Sequence, residues 1–173
     1  MIAIGMRRWE ILYELMNDHG YRKMAEVGCK EGRTTEYILS ALPDAYVHAV
    51  DPFENVPNEG ESYDDWDYSA IKDEFLRRTD DYKDRLTLHQ CLSTQAAESI
   101  KDGELDIVFI DAAHDYDNVW ADIDAWYPKV RNGGLITGHD FNHKFIGVQR
   151  AVADHFNLLH VQTLPDSVWA IRK

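Results

Sequence analysis

Short apolar strands alternate with amphipathic helices along most of the chain, and this alternation restricts the fold more than any other feature. Segments typical of buried strands occur at 24–27, 46–50, 86–89, 105–110 and 135–138, and a helical pattern follows each of them. Parallel strands need long crossover connections, which helices supply. The chain is therefore predicted to form an α/β fold with a mostly parallel sheet.

Apolar residues spaced three or four positions apart define the predicted helices. A leading helix is expected over about 6–18, with Gly20 ending it. A short helix is expected near 95–100, and the helix after the strand at 105–110 has the clearest apolar face. The other helices are marked by Ile11, Leu12, Leu15 and Met16; Tyr37, Ile38, Leu39 and Leu42; Tyr68, Ile71 and Phe75; Val119, Ile123, Trp126, Tyr127 and Val130; and Phe145, Val148, Val152 and Phe156.

The last part of the chain departs from this alternation. Two strands, at 158–162 and 167–171, flank the polar turn Leu164-Pro165-Asp166, which is too short for a crossover helix. These two strands are predicted to be antiparallel and to complete a seven-stranded sheet. Asn132-Gly133-Gly134 is interpreted as the turn that leads into the strand at 135–138.

Composition excludes several classes of partner. The chain has 31 acidic and 18 basic side chains, a formal charge of -13, and its sequence contains no run of lysines and arginines. Such a chain repels a nucleic-acid backbone and an anionic membrane surface. Cys29 and Cys91 are too few for a disulfide framework or a zinc site, and the N-terminal region lacks the apolar stretch of a signal peptide. A cytoplasmic protein is expected.

Two elements indicate a nucleoside ligand. The loop after the first strand contains Gly28 and Gly32, which let a ligand approach the backbone at a helix N-terminus but also fit an ordinary turn. The second strand ends at Asp51, whose carboxylate can accept hydrogen bonds from both ribose hydroxyls. A nicotinamide-dependent oxidoreductase is disfavoured, because Cys29 and Lys30 interrupt the G-x-G-x-x-G turn that it needs.

The order of Glu26-x-Gly28-x-x-x-Gly32, Asp51 and the apolar strand ending in Asp111 resembles class I S-adenosylmethionine-dependent methyltransferases over nearly the whole chain. This resemblance implies a doubly wound, Rossmann-like sheet of seven strands in the order 3-2-1-4-5-7-6. It also implies S-adenosyl-L-methionine as the methyl donor.

A more specific pattern follows in the second half of the chain. It is similar to the methyltransferase domain 24 type, a family that contains small-molecule and sugar O-methyltransferases. The pattern consists of Ile110-Asp111-Ala112-Ala113-His114-Asp115-Tyr116, Asp122, Gly133-Gly134 and His139-Asp140.

The resemblance assigns a cofactor site residue by residue. It implies that Glu26, Gly28 and Gly32 surround the methionine part of S-adenosylmethionine and that Asp111 also lies in the cofactor site. Asp51 would hold the ribose, and Phe53 and Ser93 would lie near adenine. A rim position for Phe53 and a helix N-cap for Ser93 are equally compatible with the sequence.

Methyl transfer from the sulfonium of S-adenosylmethionine needs no covalent enzyme intermediate. The protein therefore has to align the substrate nucleophile with the methyl group and remove its proton. His114 and His139 are the candidate bases, since a neutral imidazole accepts a proton at physiological pH. A histidine that only packs in its loop is the alternative for His114. In either case, these residues follow strands whose carboxyl ends are expected to border the cleft.

A metal-assisted reaction is the other open alternative. Asp111, His139 and Asp140 follow neighbouring strands and could converge on a divalent cation such as Mg²⁺, which some relatives bind at matching positions. Such an ion would lower the pKa of a substrate hydroxyl. His139 stands where an acidic residue is more common, which weakens the assignment because Mg²⁺ prefers oxygen ligands.

The leading hypothesis is a single methyltransferase domain over 1–173 that methylates a hydroxyl of a small molecule, with 1–20 as a leading helix and 52–65 as a lid or rim. The chain is short, so a homo-oligomer is one way to complete the substrate pocket. A non-catalytic module that binds S-adenosylmethionine or S-adenosylhomocysteine is the main rival. Base methylation is disfavoured, because the sequence contains neither a basic stripe nor the motif typical of base N-methyltransferases, an asparagine or aspartate followed by two prolines and an aromatic residue.

Overall fold

A computed structural model describes residues 2–58 and 63–173. Its sheet has seven strands in the order β3-β2-β1-β4-β5-β7-β6, which confirms the predicted order. The first five strands pair in parallel, whereas β7 runs antiparallel to both β5 and β6. The strands are β1 (Lys23–Val27), β2 (Tyr46–Val50), β3 (Leu86–His89), β4 (Leu105–Ile110), β5 (Val130–Gly138), β6 (Gln162–Thr163) and β7 (Trp169–Arg172).

Helices cover both faces of this sheet. They are α1 (Arg8–His19), α2 (Arg33–Ala41), α3 (Tyr68–Thr79), α4 (Ser93–Glu98), α5 (Tyr116–Trp126) and α6 (Ile146–His155). One core cluster packs α4, α5 and α6 against one face, with Trp126 and Ile123 fully buried. A second cluster packs α1 and α2 against the other face through Ile11, Leu12 and Ile38. Burial on both faces explains why β4 is almost continuously apolar.

The strand order reverses between β1 and β4, which lie side by side in the centre of the sheet. In a doubly wound sheet, ligands bind outside the carboxyl ends of the strands at this reversal. The residues that follow β1 and β4 are therefore in the position where a ligand is expected.

The structure corrects three element predictions. Val130 begins β5 instead of ending the preceding helix, and Tyr127 belongs to a 3-10 helix at Tyr127–Lys129. Pro128 has no backbone N–H to continue an α-helix. The segment 132–134 lies inside β5 as an irregularity, since Leu105 pairs with Val130 but Ile107 pairs with Leu135.

The third correction concerns the hairpin. The predicted strand at 158–162 is instead a 3-10 helix at Leu158–His160 followed by a two-residue strand, β6. Leu158 and Leu159 are exposed, at 54% and 89%, so their apolar character marks no buried strand face. Tyr37 is also only half-buried, although its spacing predicted an inward-facing position.

The predicted lid at 52–65 falls partly outside the described residues, because positions 59–62 are not described. On either side of that gap, Pro57 accepts a hydrogen bond from the side chain of Asn118, and Asn55 donates one to Asp64. In the described part of the chain, none of the helices has the length and apolar character needed to cross a membrane.

Candidate active site

A cleft of about 570 Å³ opens at the carboxyl ends of the central strands. Cavities of this size hold cofactors and drug-sized molecules. Nearly all of the predicted site residues line it, at or just after the carboxyl ends of five strands, β1 to β5. They are Glu26, Gly28, Asp51, Ser93, Asp111, His114, His139 and Asp140. Gly32 and Phe53 are not among the described residues that line the cleft.

Gly28 joins the end of β1 to the loop that follows it, with a positive φ of 87°. Its N–H donates to the carbonyl of Val50 at 2.8 Å. A Cβ on this residue would lie 2.3 Å from the carbonyl oxygen of Asp111. The glycine is thus required by the close approach of the loops after β1 and β4, which brings Asp111 beside the glycine loop.

Asp51 is held in place by the backbone. Its Oδ2 accepts the Lys30 N–H at 2.9 Å, and its Oδ1 accepts the Phe53 N–H at 2.8 Å. Burial raises the pKa of Asp51, and the two backbone donors and the Lys30 ammonium oppose that rise. Each carboxylate oxygen can accept a further hydrogen bond. This arrangement fits the two hydroxyls of a ribose.

Glu26 is almost completely buried, with 2% of its surface exposed, and it lines the cleft. The hydroxyl of Thr35 donates to its carboxylate. Burial, reinforced by the nearby charge of Asp111, raises the pKa of Glu26 to about 8 in spite of that hydrogen bond. A cationic group placed beside Glu26 would favour its charged form, so the residue suits an ammonium group.

The two predicted adenine contacts are in different situations. Phe53 packs edge-on against Phe75, with ring centroids 5.9 Å apart, in a small core cluster that includes Cys29. This position favours a packing role for Phe53, and its adenine contact stays a prediction. Ser93 lies at the cleft and its Oγ accepts the indole N–H of Trp126 at 2.8 Å. That bond fixes the Ser93 side chain at the cleft wall.

Asp122 is a cleft residue that the sequence analysis included in the family pattern but to which it gave no role. It lies on the buried face of α5 and is hydrogen-bonded to Ser93. Burial raises the pKa of Asp122 to about 7; Ser93 opposes that rise, and the charge of Asp115 adds to it. The sequence signal for a role of this residue is an aspartate on the otherwise apolar face of a helix, where burial of an unpaired carboxylate costs free energy.

His114 pairs with a carboxylate across the cleft. Its Nε2 lies 2.8 Å from Oδ2 of Asp140, and its Nδ1 lies 3.3 Å from the hydroxyl of Tyr63. The ring also packs against Phe145, with centroids 4.2 Å apart. One nitrogen of the imidazole thus faces an acidic partner, and the other points towards the segment that borders the cleft mouth.

The three residues predicted to bind a metal do converge. Asp111, His139 and Asp140 each offer a ligand atom, and these atoms lie within 4.8 Å of one another. Nδ1 of His139 lies 3.1 Å from Asp140 Oδ2 and 3.5 Å from Asp111 Oδ1. A fourth residue, Arg8, joins them with its Nε 3.1 Å from Asp111 Oδ2. Whether an ion binds here stays a prediction.

Charges of both signs set the ionisation of this cluster. Burial raises the pKa of Asp111, while the Arg8 guanidinium and His139 oppose the rise. The pKa of Asp140 lies far below its usual value because the adjacent imidazoles of His114 and His139 favour its charged form and outweigh its burial. The two carboxylates raise the pKa of His139 although burial lowers it. The cluster thus pairs two carboxylates with a guanidinium and imidazoles.

Residues 25–141 match the family model Methyltransf_24, described as a methyltransferase domain. This match spans more than half of the chain and includes the glycine loop, Asp51, His114 and the His139-Asp140 pair. A search of curated protein sequences returned no match.

Solved structures share the fold at low sequence identity. The O-methyltransferase NovP is 18% identical with a TM-score of 0.72, and the alignment covers 96% of this chain and 79% of NovP. The TDP-rhamnose 3′-O-methyltransferase CalS11 of calicheamicin biosynthesis is 16% identical with a TM-score of 0.65, over 95% and 76% of the two chains. A proposed rRNA methylase from Clostridium thermocellum is 12% identical with a TM-score of 0.68, over 99% and 100%. These likenesses support the fold and leave the substrate open.

Proposed function

We propose that this S-adenosylmethionine-dependent methyltransferase methylates a hydroxyl oxygen of a small molecule or sugar. The chain belongs to the Methyltransf_24 family of methyltransferase domains, and the proposal starts from that membership. The observation that carries the proposal is the common cleft of Asp51 and the His114–Asp140 pair. A residue suited to a ribose and a residue suited to a hydroxyl proton border the same cavity.

The residues of the cleft fit S-adenosylmethionine. When bound, this cofactor supplies a methyl group on a positively charged sulfur, which is already a good leaving group. Asp51 would accept hydrogen bonds from the ribose hydroxyls, with its carboxylate held by two backbone donors. Glu26 would bind the ammonium group of the methionine part, since a cation stabilises the charged form of this buried acid. Ser93 and Asp122 lie on the remaining wall.

His114 is the proposed general base. Asp140 would hold the imidazole through Nε2 and stabilise it after it gains a proton. Nδ1 would take the proton of a substrate hydroxyl that replaces the Tyr63 hydroxyl, which lies 3.3 Å from this nitrogen. The Phe145 ring restricts the orientation of the imidazole. His139 has one nitrogen near Asp111 and Asp140 and the other near Arg8, which favours a positioning role over direct contact with substrate.

The residues present do not fit a resident hard cation such as Mg²⁺. Oδ2 of Asp140 is shared between His114 and His139, and Oδ2 of Asp111 faces the Arg8 guanidinium. The third ligand would be the nitrogen of His139, whereas Mg²⁺ prefers oxygen. Proton removal by His114 therefore needs no metal in the proposed reaction.

A small molecule is favoured over nucleic acid by the charge of -13. Aromatic rings near the cleft mouth, Tyr63, Trp66 and Phe145, suit a planar substrate or a sugar. The names of NovP and CalS11 support oxygen as the acceptor, and that of CalS11 supports a sugar. The name of the proposed rRNA methylase keeps RNA as the alternative to be tested.

The test is a transfer assay with S-adenosylmethionine that carries a deuterated methyl group. A panel of phenols, hydroxy acids, glycosides, nucleotide sugars and RNA is incubated with the protein, and products are identified by mass spectrometry. The proposal predicts label on a hydroxyl oxygen of a small molecule. Label in RNA or on nitrogen would contradict it. Cofactor binding without transfer to any member of a broad panel would favour the non-catalytic module.

A further inference from the structure

Arg8 enters the cleft from a distant part of the sequence. It is the first residue of α1, and its backbone N–H donates to Oδ2 of Asp166 at 2.8 Å. Asp166 lies in the turn between β6 and β7 and has a positive φ of 53°. The start of α1 is thus tied to the terminal hairpin, and this contact directs the Arg8 side chain to the cleft, where it is one of the lining residues.

The Arg8 guanidinium reaches two residues, Asp111 and His139, of the three that were predicted to bind a metal. Its Nε lies 3.1 Å from Asp111 Oδ2, and its Nη1 lies 3.5 Å from His139 Nε2. The Nε–H makes an ion pair with Asp111 and not an aligned hydrogen bond. Because the N–H is not aligned with the carboxylate oxygen, charge rather than directed bonding dominates the interaction.

A guanidinium keeps its charge over the whole physiological pH range, so the positive charge beside Asp111 is permanent. The carboxylate of Asp111 is only 12% exposed, and water screens this pair less than it screens a surface pair. A divalent ion that used Asp111 as a ligand would lie next to this fixed cation. Like charges at such separations repel strongly in a partly buried site.

We propose that Arg8 is an internal counter-ion that takes the electrostatic place of a divalent cation at Asp111, His139 and Asp140 and keeps such ions out of the site. The inference concerns the cleft to which the proposed function is assigned. Its relevance to methyl transfer rests on that function, whereas the exclusion of metal ions rests on the contacts of Arg8 with Asp111 and His139. Arg8 acts by positioning and by charge, through Asp111, and is not placed in contact with the reacting atoms.

The test measures Mn²⁺ binding by titration calorimetry on the full chain. Arg8→Gln removes the charge and leaves the backbone hydrogen bond to Asp166 in place. Arg7→Gln is the matched control, because this neighbouring side chain is 67% exposed and lies 3.9 Å from Asp166. We expect weak binding by wild type and Arg7→Gln, and binding by Arg8→Gln that is tighter by about tenfold or more, from the removal of like-charge repulsion.

Two further variants make the outcome specific. Arg8→Lys keeps a positive charge and is expected to bind Mn²⁺ as weakly as wild type. Adding Asp111→Asn to Arg8→Gln should remove the gained affinity. Equal affinities of wild type and Arg8→Gln, or gained binding that survives Asp111→Asn, would overturn the proposal. Tight stoichiometric Mn²⁺ binding by wild type would also overturn it without any variant. Failure of wild type to bind S-adenosylmethionine would instead count against the proposed function.

Discussion

Nε2 of His114 lies 2.8 Å from Oδ2 of Asp140, and the two residues come from the loops after neighbouring parallel strands, β4 and β5. Asp140 has a positive φ of 58°, which is uncommon for a residue with a Cβ. An aspartate held in this conformation against an imidazole indicates a local arrangement that the surrounding loops maintain. It is the basis of the assignment of His114 as the base.

Replacing His114 should separate chemistry from cofactor binding. His114→Asn is expected to lower kcat by roughly 100-fold or more, because general-base catalysis contributes that much when a base is well placed. The affinity for S-adenosylmethionine, measured by calorimetry, should stay within about threefold of wild type, a difference of at most about 0.7 kcal/mol, because the contacts assigned to Asp51 and Glu26 remain. His143→Asn, at an exposed position on the adjacent loop, is the control and should change neither quantity. Full turnover by His114→Asn would remove this residue from the mechanism.

The free energy of unfolding should depend on pH through Glu26. Its pKa is about 8 in the folded protein and 4.5 in its ordinary state, so the native protein holds more protons between these values. Stability from this group is therefore complete below about pH 4.5 and is lost as pH rises towards 8. Glu26→Gln should gain stability relative to wild type over this window.

Urea unfolding of both proteins at several pH values between 5 and 8 measures that difference. Glu98→Gln, an exposed position on α4, provides the matched control and should follow wild type at every pH. A difference between wild type and Glu26→Gln that is the same at every pH would show that Glu26 does not bind its proton as described.

Alanine at Gly28 should destabilise the protein by more than alanine at another glycine of positive φ. Gly28→Ala adds both left-handed strain and a Cβ that meets Asp111 backbone, so about 3 kcal/mol is expected. Gly20, with φ of 68°, has open space around its Cβ position, so Gly20→Ala should cost only about 1 kcal/mol. Chemical denaturation compares the two. Equal losses would mean that the loops after β1 and β4 separate easily.

Most of the fold could be predicted because strands and helices leave patterns in short stretches of the sequence. Apolar strands and helical spacing repeat along the chain, and six of the seven strands, all except β6, were recognised from the sequence. The strand order came from the resemblance to a family and is confirmed. The segment 158–162 was misassigned because its apolar residues Leu158 and Leu159 mark no buried face. Propensity in such a short segment is overridden by its position at the sheet edge.

The site could be predicted in part. Residues after neighbouring parallel strands meet at one edge of a sheet, so the convergence of Asp111, His139 and Asp140 followed from strand positions alone. Arg8 could not be found in this way, because its contact with Asp111 depends on how α1 docks against the terminal hairpin. The burial of Phe53 likewise depends on Phe75, a residue of α3.

S-adenosylmethionine is proposed to bind in the cleft with its ribose at Asp51. Titration calorimetry of S-adenosylmethionine and S-adenosylhomocysteine should detect one site in wild type and a Kd raised by about 10-fold to 100-fold in Asp51→Ala, through the loss of charge-assisted hydrogen bonds. Asp44→Ala, at an exposed turn before β2, should bind as wild type does. Thermal unfolding checks that each variant is folded. Absence of binding by wild type, or equal binding by folded Asp51→Ala, would show that the cofactor does not bind at Asp51.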